Sequence, residues 1–189
     1  MKTRTTILTA LGALAATACA GTMKAPSASL AGRAAGDPVA LLAEGFDANV
    51  RRDLETLRNA TRAYQDLAEA GKAGYPTKIP RCVADSTMGG MGYHMVYREL
   101  FDDKLDITKP EMLIYVPNDS GKMELVGVEF ALPFKYLPRT STPPRLFGQE
   151  LHPWDQFNYW AIHVWAWRKN SAGLFADWNP AIKCASTGM

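Results

Sequence analysis

Polar and apolar positions change rhythm about midway along this chain. From residue 39, Val39, Leu42, Phe46, Val50, Leu54, Leu57, Thr61, Tyr64 and Leu67 recur at steps of three and four, while Arg51, Arg52, Glu55, Arg58, Arg62, Asp66 and Glu69 fall largely on the other side. That is the stripe of an amphipathic helix with one face for a core. Asp37-Pro38 supplies an N-cap and a first-turn proline, and Gly71, Gly74 and Pro76 end the run. Gly45 is a point at which the helix divides into a short and a long piece.

From residue 80 the period becomes two. Glu111 to Val116 and Met123 to Leu132 read as strands, and the turn-rich segment Pro117 to Lys122 between them makes a hairpin. On the second strand Val126, Val128, Phe130 and Leu132 share one face. Gly127, Glu129 and Ala131 share the other, so a carboxylate stands between two very small neighbours with room above it. Tyr159 to Trp167 reads as a third strand, with Tyr159, Ala161, His163, Trp165 and Trp167 on one side. Gly92 to Tyr97 is a weaker fourth. Residues 133–158 carry five prolines and little periodicity, the mark of a long functional or covering loop. Together these patterns predict an α+β fold: a long N-terminal amphipathic helix packed on a mainly antiparallel β-sheet, with a long proline-rich loop.

The first residues add a compartment. Lys2 and Arg4 precede an uncharged run from Ile7 to Ala18, after which small residues surround Cys19. This is a signal peptide over 1–18, too short in its apolar part to span a bilayer comfortably. Two processing routes are open. Ala16-Thr17-Ala18-Cys19 resembles a bacterial lipobox, apart from Ala16 where leucine is usual, and would place a lipid anchor on Cys19. Alternatively, an A-x-A site ending at Ala18 is cut without lipidation, giving a secreted soluble protein. Alanine after the modified cysteine resembles outer-membrane sorting, so the expected place is the outer membrane or periplasm. Residues 19–36, rich in Ala, Gly, Ser and Thr, read as a flexible tether. Residues 37–189 then form a single exported domain.

The chain has three cysteines, Cys19, Cys82 and Cys184. With Cys19 lipidated, an oxidising compartment lets Cys82 and Cys184 pair. The alternative is two buried thiols. Neither has a second Cys or a His at metal-like spacing, which favours the disulfide. The formal charge of +2 falls to zero when Lys2 and Arg4 leave with the signal. A near-neutral domain lacks the basic stripe that nucleic acid demands, so no nucleic-acid partner is expected.

Several segments, taken in order, resemble the sequence blocks of one known family. These are Met91 to His94, Lys109 to Tyr115, Leu125 to Phe130, Leu146 to Gln149, and the ending HVWAWRKNSAGLFADWNPAIKC, which runs from His163 to Cys184. They are similar to a family of bacterial secreted proteins of unassigned function whose chains end in an HVWxW…WNP…C block. The chain departs from that pattern at Lys169, often His there, and at Ser171, often Pro. The resemblance spans roughly residues 47–184 and implies compartment and domain extent, not an activity.

Three histidines are present: His94, His152 and His163. Convergence of His94, Glu129 and His163 on one sheet face would give a divalent metal two imidazoles and a carboxylate with a position left open, and His152 would be a fourth ligand or a gate. No HxH, HExxH or CxxC spacing supports this, and a histidine in a strand is commonly a hydrogen-bonded core residue. Gly89-Gly90-Met91-Gly92 lacks the Lys-Ser/Thr of a phosphate loop and reads as a turn allowing close backbone approach. No serine stands in GxSxG. The acidic residues Glu99, Asp102, Asp103 and Asp106 lack a calcium-loop pattern and read as a solvated turn. All five tryptophans lie in the last third. Trp160 and Trp165 suit the core, and Trp154, in the proline-rich loop, is a candidate for stacking on a ligand. Three functional classes follow: an envelope lipoprotein whose domain binds a small ligand or partner, a metal-binding protein or metal-dependent enzyme, and a purely structural envelope lipoprotein.

Overall fold

The computed structural model describes residues 43–78 and 80–184. The signal peptide, the tether, Cys19 and the helix start at Asp37-Pro38 lie outside them. Helix α1 is Ala48–Thr61 and α2 is Leu67–Lys72. The strands are β1 (Cys82–Asp85), β2 (Gly89–Val96), β3 (Met112–Pro117), β4 (Met123–Pro133), β5 (Arg145–Leu146), β6 (Gln149–Glu150), β7 (His152–Trp154) and β8 (Tyr159–Val164). Six of them form one antiparallel sheet in the order β1-β2-β3-β4-β8-β7, and β5 and β6 form a separate hairpin. The α+β class holds, and the sheet carries more strands than the sequence pattern marked. No helix among the described residues is long and apolar enough to cross a membrane.

The long helix is corrected to a short one. The chain turns at Gly45, and the Asp47 side chain accepts from the Asn49 and Val50 amides to start α1. A 3-10 turn over Arg62–Gln65 follows α1. Asp66 then takes an extended conformation and caps α2 through the Ala68 amide. The three-four spacing runs on through Tyr64 and Leu67 because both still pack against the core. A local cap at Asp66 nonetheless outcompetes helix continuation.

Val50, Leu54 and Leu57 of α1 are buried in the same cluster as Leu113, Val128, Phe130 and Ile162 of the sheet. A run of aromatic contacts joins the layers: Phe46 to Phe175 at 5.3 Å, Phe175 to Phe147 at 5.9 Å, and Phe147 to Phe130 at 5.6 Å between ring centroids. Phe147 and Gly148 form the two-residue turn between β5 and β6, at φ 50° and 71°, the double positive φ of a tight hairpin. Bulky residues rarely adopt that conformation, and burial of the Phe147 ring accompanies it here. The proline-rich segment is therefore not all loop. Besides this hairpin it contributes β7, which sets His152 and Trp154 beside β8.

Strand β8 is shorter than its alternation suggests. It ends at Val164, after which the Trp165 amide donates to the Leu174 carbonyl and the Trp165 indole donates to the Ala176 carbonyl at 2.6 Å. Trp165 and Trp167 thus leave the face of His163, and Trp160 and Trp165 are fully buried. The C-terminal loop is fastened to β2 by paired backbone hydrogen bonds between Gly90 and Asn179. Gly89 makes this possible: it sits at φ 100°, and a Cβ there would meet the Asn179 carbonyl oxygen at 2.4 Å. A disulfide joins Cys82 to Cys184 across 102 positions. Closing a loop of that length stabilises by about 4–5 kcal/mol in the chain-entropy model.

Candidate metal centre

Strand pairing places Glu129 directly opposite His163, so their side chains share a face and stand next to each other. His94 comes from farther away. Its strand β2 pairs with β3, β3 with β4, and β4 with β8, so His94 and His163 stand three strand spacings apart, about 14 Å on a flat sheet. Their Nε2 atoms are nevertheless 3.3 Å apart. The imidazoles reach toward each other over a face that the sheet's curvature makes concave. Gly127, on this face, helps: a Cβ there would meet the Val164 carbonyl oxygen at 2.7 Å, pushing β8 away.

The three donor atoms form a triangle. His94 Nε2 lies 3.4 Å from Glu129 Oε2, His163 Nε2 lies 3.6 Å from the same oxygen, and the two nitrogens are 3.3 Å apart. An ion displaced about 0.7 Å from the donor plane would stand about 2.1 Å from all three, which matches zinc–nitrogen and zinc–oxygen bonds. Tetrahedral ligands at such bond lengths stand about 3.3–3.4 Å apart, whereas adjacent octahedral ligands stand about 2.9–3.0 Å apart. The observed edges favour the tetrahedral arrangement.

The surroundings orient these ligands. His163 turns its Nδ1 to Asp177 Oδ1 at 3.1 Å, the carboxylate–histidine pairing that fixes a metal-binding tautomer. His152 brings its Nε2 to 3.2 Å from the same oxygen, off the line of a full hydrogen bond. Asp177 thus lies between two imidazoles. Its own position is set by flanking ties, from the Trp165 indole to the Ala176 carbonyl and from the Asn170 amide to the Trp178 carbonyl. The His94 Nδ1 faces the Gly92 carbonyl without reaching full hydrogen-bond geometry. The Tyr159 hydroxyl lies within reach of the Glu129 carboxylate.

Burial and charge act together on the protonation of this cluster. Burial, reinforced by His163, lowers the His94 imidazole to about 3, so it is neutral and free to donate its lone pair. Burial also pushes the Glu129 carboxyl up, against the opposing pull of His163. For His163, burial acts downward, but Glu129 and Asp177 outweigh it and the net shift is upward. Burial would raise Asp177, yet the neighbouring His152 and His163 imidazoles hold it well below the ordinary carboxylate range. Two imidazoles and a carboxylate buried nose to nose favour a cation that all three can share.

The triangle faces a cavity of about 600 Å³, whose lining includes all three donors together with Trp154, Phe157 and Tyr159. The chemistry available to this arrangement is that of a divalent ion with three protein ligands and an open position toward an apolar chamber.

The expected ligand set His94, Glu129 and His163 therefore comes together. His152 does not join it: its strand β7 is one strand farther out, and its ring meets Asp177. Trp154 lies in the cavity wall, as a stacking residue would. Cys19 lies outside the described residues. Asp177 and Tyr159 are residues of this cluster that the sequence pattern does not single out. Tyr159 shares the alternation that exposed His163, whereas Asp177 sits in an irregular loop with no periodic signal. Asp102 and Asp106 accept from the amides two residues on, as turn-forming residues do. Searches against family models, curated proteins and solved structures find no match for this chain.

Proposed function

We propose that the protein is an exported envelope protein whose domain holds one zinc-class divalent ion through His94, Glu129 and His163 and presents the ion's open position to a small ligand. The observation that carries this reading is the triangle of donors with a centre at bonding distance from all three. The carboxylate behind His163 supports it, as does the neutral state of His94. Export, and attachment to the membrane through a lipid on Cys19, rest on the leading segment and on the C-terminal resemblance to secreted bacterial proteins. The disulfide suits an oxidising compartment.

The donor set of two histidines and one carboxylate is also the facial triad of ferrous oxygenases, and the edge lengths are what favour zinc. Metal analysis of protein purified anaerobically without a polyhistidine tag tests both. The expected result is one equivalent of zinc per chain, lost in His163→Ala and retained in Lys169→Ala. Equal retention by the two variants would remove the site. Stoichiometric iron in place of zinc would keep the site and overturn its geometry.

A further inference from the structure

Resting on that metal reading, the cavity's walls specify what fills the open position. One side is apolar and soft: Met91, Val96 and Met112 line it. Methionine sulfur favours the edges and faces of aromatic rings. The other side is a set of aromatic rings in mutual contact. Trp154 meets Phe157 at 6.0 Å, Phe157 stacks on Tyr159 at 5.7 Å and 14°, and Tyr159 meets Phe101 at 5.9 Å. Phe157 is 57% exposed, and Asn158, which follows it, adopts a left-handed conformation at φ 61°. An exposed ring held by stacking at the mouth of a chamber is a platform for another flat ring.

The polar features of the cavity call for an anion. The Trp154 indole N–H is shielded from solvent and has no acceptor among the described residues. It is a buried donor without its bond, an unfavourable state until an acceptor arrives. Arg81 and Arg98 line the cavity, and neither guanidinium group makes a hydrogen bond or ion pair among the described residues. A divalent ion with one carboxylate ligand carries a formal excess of one positive charge in its coordination sphere, and Asp177 does not line the cavity. A singly charged oxyanion neutralises that excess.

We infer that the cavity binds a small aromatic carboxylate, with the carboxylate on the metal's open position and the ring between the Met91–Met112 wall and Trp154. The volume of about 600 Å³ falls in the range of small-molecule sites. Acetate represents the head alone, 2-naphthylmethanol the body alone, and octanoate a carboxylate with a flexible apolar chain.

The test uses the protein purified without a polyhistidine tag and loaded with cobalt(II), whose visible spectrum reports coordination, alongside the zinc form for calorimetry. The expected result is that 2-naphthoate perturbs the cobalt spectrum and binds at least about tenfold more tightly than any of the three comparators, a gap of about 1.4 kcal/mol. Trp154→Ala should weaken 2-naphthoate by about fivefold or more, weaken acetate less, and leave metal stoichiometry unchanged. Arg98→Gln, an exposed substitution, should weaken 2-naphthoate and acetate alike and leave 2-naphthylmethanol unaffected. If cobalt binds but 2-naphthoate is no tighter than acetate or octanoate, the aromatic carboxylate is excluded and the metal site stands. If neither cobalt nor zinc binds, the metal reading and this inference fall together.

Discussion

The two faces of one strand carry opposite kinds of order. On β4, Val128, Phe130 and Leu132 turn toward α1 and the aromatic contacts of Phe147 and Phe175, where burial alone holds them. Gly127, Glu129 and Ala131 turn the other way, where two of three side chains are minimal and the third is a buried carboxylate. The first face stabilises the fold through apolar area removed from water. The second offers little packing and concentrates groups that are unfavourable to bury unpaired. Core packing and the candidate metal site are separated here by a single residue step.

Adjacent substitutions should break this comparison most sharply. Phe130→Ala is expected to lower unfolding free energy by about 3–5 kcal/mol and keep one zinc per chain. Its neighbour Glu129→Gln should leave metal-free stability near or above the parent's, since it removes a buried carboxyl whose ionisation burial opposes, and abolish stoichiometric zinc uptake. Urea unfolding with and without zinc reads both. Equal effects of the two variants on both measurements would erase the division between the faces.

Asp177→Asn probes the support behind the concave face. It should weaken zinc about 10- to 100-fold with all three ligands in place, measured by competition with a chelator. An unchanged affinity would reduce Asp177 to a structural role in its loop.

The smallest expected effect comes from a second buried carboxyl. Glu111 is 1% exposed and accepts from the Ala131 amide, and burial raises its pKa to about 8 from an ordinary 4.5. Between those two values the unfolded chain releases the proton and the folded chain keeps it. Stability therefore falls as pH rises from about 4.5 to 8 and is level above that. Glu111→Gln should flatten that window and raise stability at pH 7 by on the order of 1–3 kcal/mol. An unaltered pH profile of the melting temperature would show that Glu111 is already ionised in the fold.

Much of this was legible from residue spacing, and the exceptions have physical causes. Alternation alone put Glu129 on an open face of its strand and His163 on one face with Tyr159 and Ala161, and the turn residues of Pro117–Lys122 marked the hairpin between β3 and β4. Spacing did not reveal that Thr61 and Asp66 interrupt the helix, because Tyr64 and Leu67 keep the helical rhythm while packing from a 3-10 turn and a second short helix. It did not reveal β1 (Cys82–Asp85), an edge strand whose side chains are half-buried or exposed and carry no alternation. Nor did it place Asp177, whose position depends on hydrogen bonds from Trp165 and Asn170 that no periodicity encodes. The meeting of His94 with His163 depends on the curl of a sheet, a property of the whole and not of either strand.

Cys82 and Cys184 bracket His94, Glu129, His152, His163 and Asp177 in the numbering, so their bond encloses the entire constellation in one covalent circuit. Helix α1 stays outside that circuit. A protease that clipped the chain anywhere before Cys82 would leave these residues chemically united, and a single cut inside the circuit would still release no fragment until the bond was reduced.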